Sequence, residues 1–141
     1  MITPLRIALA ILCAAYGINP AYAECIITYE SDWDVEAVGA AGEIGLAQIL
    51  PDTGEWLAGL AGLEWDVDRL YDPVYNMILL MEGLSRGFDW LWHTVPLCEG
   101  VQSAGRSWVN GDNDSHTVYH RFGGYPYYSG AAYQRGNRGA A

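Results

Sequence analysis

The chain has 141 residues, of which 51% are hydrophobic, with six Trp and ten Tyr. That length allows one domain with a real core but not two, and the composition excludes a disordered chain. A net charge of −10 and a pI near 4.4 exclude a nucleic-acid binder, since no basic patch exists to neutralise phosphates. The few late cations, Arg121, Arg135 and Arg138, read as part of a solvated tail.

At the N-terminus Arg6 precedes an apolar run, Ile7 to Ala15, too short to span a bilayer. With Ala21-Tyr22-Ala23 behind it, the stretch is laid out like an export signal, or like a weak apolar membrane anchor through residues 5–16. Residues 20–29 form the first helix of the domain, with Asn19 suited to its N-cap and Pro20 to its first turn. Cleavage after Ala23 would leave six residues before Glu30 and remove half of that helix. Processing near Ala14 or Ala15, or retention of the segment, is therefore expected. Residues 31–43 read as a loop, acidic through Asp32, Asp34 and Glu36 and turned by Gly39 and Gly42. The stretch 43–49 is expected to be short and extended or irregular.

Pro51 starts a helix to about Leu60, with Trp56, Leu57 and Leu60 sharing a face and Gly59 and Gly62 ending it. A loop over 61–71 follows. Asp72 as N-cap and Pro73 then open the longest helix, expected to reach about His93 on the apolar spacing of Tyr75, Ile78, Leu79, Met81, Leu84 and Leu91. Gly83 and Gly87 each weaken it by roughly 1 kcal/mol and point to close packing. Pro96 breaks it, and 97–109 reads as a further helix. Asn110 to Asp114 is a turn cluster; beyond it the chain is rich in Tyr and Gly, with a short helix near 126–134 and a fraying tail. Cys25 and Cys98 are a candidate disulfide or two separate buried thiols, and the sequence leaves both open. His116 and His120 stand four apart, but no third ligand joins them, so no metal is expected.

The chemistry concentrates in residues 30–48. Glu30 ends an apolar helix and faces a glycine-rich loop, which is equipment for general acid chemistry at an oxygen leaving group. The pattern E-S-x-W/F-x-x-x-A-V-x-x-x-G-x-x-G-L-x-Q, carried by Glu30-Ser31, Trp33, Ala37-Val38, Gly42, Gly45-Leu46 and Gln48, resembles the first motif of the soluble lytic transglycosylase (SLT) family. Tyr16-Gly17-Ile18-Asn19-Pro20 resembles the family's Y-G-x-x-P, Pro51-Asp52-Thr53 its P-x-T, and Asp72-Pro73 with Asn76 its D-P-x-x-N.

The resemblance spans roughly residues 17–135 and fades after about 95. It implies a mostly α, lysozyme-like single domain of the goose-type lysozyme/SLT kind, with a small irregular or β loop region. The chain then divides into an export signal or anchor over 1–16, the domain over 17–135 and a flexible tail over 136–141. Glu30 would be a single acid/base that cleaves the bond between N-acetylmuramic acid and N-acetylglucosamine and leaves a 1,6-anhydro product. The substrate side would include Ser31, Gly45, Leu46, Gln48, Asn110, Tyr119 and Tyr133, with Asn110-Gly111 standing where the family has A-Y-N-x-G. Asn76 reads as structural, tying a neighbouring loop. The implied protein is an exported monomer, periplasmic, extracellular or carried by a phage, acting on peptidoglycan glycan strands without a cofactor. A hydrolase on the same fold, which would need a second carboxylate, and an inactive wall-binding or assembly protein are the alternatives.

Overall fold

The computed structural model describes residues 3–104. Its helices are α1 (Pro4–Tyr16), α2 (Pro20–Ser31), α3 (Pro51–Ala61), α4 (Pro73–Ser85) and α5 (Val95–Ala104), with 3-10 turns at Val67–Tyr71 and Asp89–Leu91. Among the described residues the extended structure is limited to single bridges, Val38 to Ile44 and Ile44 to Ile49, which fold the 37–49 loop onto itself.

Four of the five helices begin on a proline in the first turn, where its missing N–H is not needed. The side chain of Asn19 accepts from the N–H of Ala21 at 3.0 Å, and that of Asp72 from Val74 and Tyr75 at 2.9 and 3.1 Å. Both caps stand where the sequence places them. Helix α2 runs through Ser31, two residues beyond expectation, and ends when Asp32 and Trp33 both turn left-handed, at φ 52° and 68°.

Residues 4–16, expected as an export signal or anchor, form α1 inside the domain. Leu9 and Cys13 are fully buried, and the Cys13 thiol donates to the Met81 sulfur on α4 at 3.8 Å. Tyr16 donates to Glu82 at 3.0 Å, and the Arg6 guanidinium lies 4.7 Å over the Trp33 ring. Leu9 and Cys13 thus bring the core back before residue 17, while Ile7 and Ile11 of the same run stay exposed. Among the described residues no helix is long and apolar enough to cross a membrane.

Two helix expectations need correction. Helix α4 ends at Ser85 rather than near His93: Gly87 takes φ 77°, and the Phe88 N–H turns back to the Gly83 carbonyl at 2.8 Å. The apolar residues beyond it pack from a separate turn. On α3 only Leu57 of the three expected face residues is buried; Trp56 and Leu60 lie on the exposed side, with Trp56 stacked on Phe88 at 5.0 Å. The core side of α3 is Gly54, Leu57 and Ala58, because Gly54 leaves room for the Trp65 ring.

The core gathers Tyr22, Ile26 and Ile27 of α2, Leu57 of α3, Met77, Leu80 and Met81 of α4, and Trp92. Gly83 marks a close approach, as its spacing predicts: a Cβ there would stand 2.6 Å from the Trp92 ring. A disulfide joins Cys25 of α2 to Cys98 of α5 and resolves the open alternative.

Candidate active site

Glu30 sits on the last turn of α2 and is 4% exposed. Its Oε1 accepts a hydrogen bond from the hydroxyl of Thr94, also buried, at 2.8 Å. A charge-accepting oxygen inside protein gains more from such a bond than one in water. Thr94 lies just before α5, which the Cys25–Cys98 disulfide fastens to α2. Two residues earlier, the Trp92 indole N–H donates to the carbonyl of Ala47 at 2.9 Å. The short stretch from Trp92 to Thr94 thus touches both the carboxyl and the loop at 44–48, and holds them as neighbours.

That loop is fixed from below. The Asn76 amide is fully buried; it accepts from the Ala47 N–H and donates to the carbonyls of Ile44 and Leu70, each at 2.9 Å. This is the tying role read from the sequence. Gly45 has φ 78° and presses against the Leu70 carbonyl and the Asn76 amide, so no side chain fits there. Gln48, also left-handed at φ 48°, donates to the carbonyls of Ala37 and Gly45, both at 3.0 Å.

The expected site residues therefore divide. Ser31 adjoins Glu30 and donates to the Ile27 carbonyl at 3.4 Å, a helix back-bond. Gly45, Leu46 and Gln48 form one buried loop, with Leu46 wholly inside and the Gln48 amide N–H groups directed to backbone. Asn110, Tyr119 and Tyr133 lie outside the described residues. Asp32, Asp34 and Glu36 are exposed, as a solvated acidic loop should be. Glu43 is different: it is fully buried, and among the described residues neither of its carboxyl oxygens has a hydrogen-bond partner.

Sequence reading missed Thr94 and Trp92, whose partners lie 64 and 45 residues away. No local pattern encodes such pairings. It also missed Asp89, which accepts from the Tyr22 hydroxyl at 2.5 Å. Burial raises the Asp89 carboxyl above its ordinary value, and the Tyr22 bond partly offsets this; burial likewise raises the Tyr22 phenol.

A helical domain with a buried carboxyl at the end of one helix, facing a glycine-rich bridged loop, has the lysozyme-like fold. Residues 10–89 match the transglycosylase SLT domain, and the chain belongs to that family. A solved structure similar in fold is an inactive mutant of the lytic transglycosylase Slt from Pseudomonas aeruginosa, at TM-score 0.57 and 19% identity. The match covers 77% of this chain and 18% of that one, so this chain corresponds to a small part of the larger protein. No curated protein matches the chain.

Proposed function

We propose that this domain is a peptidoglycan lytic transglycosylase with Glu30 as its single acid/base. The carrying observation is the Glu30 carboxyl, withdrawn from water at the end of α2 and held by Thr94 beside the 44–48 loop. A carboxyl so placed suits proton donation near neutral pH. In this reading Glu30 protonates the glycosidic oxygen between N-acetylmuramic acid and N-acetylglucosamine, and the C1–O bond breaks. As a carboxylate it then takes the proton of the muramoyl C6 hydroxyl, whose oxygen bonds to C1. The acid is restored, the product is a 1,6-anhydro sugar, and no water is consumed.

The substrate is a wall polymer, so the working place is the periplasm or the cell exterior. There the Cys25–Cys98 disulfide is stable. In this reading α1 is retained in the working enzyme, because its loss would strip Leu9 and Cys13 from the core.

One observation favours a second reading. A muramidase on this fold needs a second carboxylate to direct water, and Glu43 is the other buried glutamate among the described residues. Mass spectrometry of digested wall separates the two. Anhydro-muropeptides made by the native protein and lost in Glu30→Gln support transglycosylation. Reducing ends, lost in Glu43→Gln as well, support hydrolysis. Equal lysis by Glu30→Gln and the native protein removes Glu30 from the chemistry.

A further inference from the structure

The bond between Thr94 and Glu30 bears on more than packing. Thr94 immediately precedes α5, and its carbonyl accepts from the N–H of Leu97 at 2.9 Å, as the residue before a helix does. A threonine in that place commonly turns its hydroxyl onto the first turn of its own helix. Here the hydroxyl proton instead reaches 64 residues back in sequence to one named oxygen, Oε1 of Glu30. A hydroxyl has a single proton to give. While it is given to Oε1, the carboxyl group is held in one rotation about its last torsion.

We propose that Thr94 is the positioning residue for Glu30: it holds Oε1 as an acceptor and thereby fixes the rotation of the carboxyl group. The assignment rests on the reading of Glu30 as the acid.

Three further contacts make Thr94 fit for this. Its segment is joined to α2 by the disulfide between Cys25 and Cys98, four residues past Thr94. Tyr22, two turns before Glu30, bonds Asp89, five residues before Thr94. Trp92 bonds the Ala47 carbonyl, so the hydroxyl is indexed to the loop as well as to the acid. Both partners are buried, so bulk water competes little for the hydroxyl proton. A carboxyl without this bond can rotate about its last torsion, a broad and soft one. A misplacement on the order of 1 Å can cost a hundredfold in rate.

The test uses the full chain and purified glycan strands, with Thr94→Val, Thr94→Ser and Glu30→Gln compared. Valine keeps the shape and removes the hydroxyl; serine keeps the hydroxyl. The expected result for Thr94→Val is a native circular dichroism spectrum, kcat lower by about tenfold to a hundredfold and KM unchanged. The alkaline limb of its pH–rate profile should move upward, because the carboxylate form has lost a donor. Thr94→Ser should recover kcat to within about threefold and return the limb to its native place.

Native kcat and an unmoved limb in Thr94→Val would overturn the assignment. So would a serine variant as slow as the valine one. If Thr94→Val does not fold, Thr94→Ser carries the test alone: full kcat supports the role, and a loss beyond tenfold in a folded protein refutes it. Glu30→Gln tells the two ideas apart. If it keeps native activity, the reading of the acid has failed; if it is dead while Thr94→Val is native, only the positioning has failed.

Discussion

Removing the side chain of Asn76 takes three buried hydrogen bonds from the floor of the site at once. In Asn76→Ala the Ala47 N–H loses its acceptor, and the carbonyls of Ile44 and Leu70 lose a donor. The three losses are unequal. The Ile44 carbonyl also accepts from the Ile49 N–H at 3.1 Å and keeps a partner. The full penalty therefore falls on Ala47 and Leu70. At roughly 1–3 kcal/mol for each of these two buried groups left without a partner, the variant should lose about 2–6 kcal/mol. That is a large part of the total stability of a small domain. Urea unfolding measures it, as a lower midpoint at constant slope. Asn76→Asp sharpens the test, because it keeps the acceptor for Ala47 but sets an oxygen against two carbonyls. It should be no more stable than the alanine variant. A loss below about 1 kcal/mol for Asn76→Ala, or an aspartate variant as stable as the native protein, would refute this account of the loop.

Other expectations follow from single groups. Leu9→Ala should cost about 2–5 kcal/mol by opening a cavity between α1 and the core, read by thermal unfolding; a negligible change would mean that α1 is not part of the folded unit. Burial pushes the Cys13 thiol up to about 12, so iodoacetamide at pH 8 should label it only after unfolding; fast labelling of the native protein would contradict its placement. The Asp89 carboxyl is raised above its ordinary 3.8 by burial. Its contribution to stability should therefore be complete below that value and lost as pH rises through the raised one. Asp89→Asn should abolish that slope, and equal slopes in urea titrations of the two proteins would refute it.

The N-terminal caps were legible because a cap is local chemistry. Asn19-Pro20 and Asp72-Pro73 each state, within two residues, where a helix must begin. The tie made by Asn76 was legible through its place after Asp72-Pro73. What escaped the sequence was either ambiguous or distant. The run from Ile7 to Ala15 is equally apolar whether it meets a membrane or the side of α4, and the fold takes up only its Leu9 and Cys13 face. The end of α4 was masked because apolar spacing continues past Gly87 in a separate turn. Trp56 and Leu60 keep helical spacing with Leu57 yet lie on the exposed side, since the narrow side at Gly54 is the one that admits Trp65. Thr94, Trp92 and Asp89 act across the fold, and nothing in their own neighbourhoods marks them.

The sulfur–sulfur link between residues 25 and 98 closes a covalent ring of chain, and Glu30, the 44–48 loop, Asn76, Trp92 and Thr94 all fall inside it. Closing a ring of this size lowers the entropy of the unfolded chain, an effect of about 4 kcal/mol on chain-entropy arguments. It also decides what a protease can do. A cut in the exposed stretch around Asp34 to Ala41 opens the ring without releasing a fragment, so the two pieces separate only on reduction.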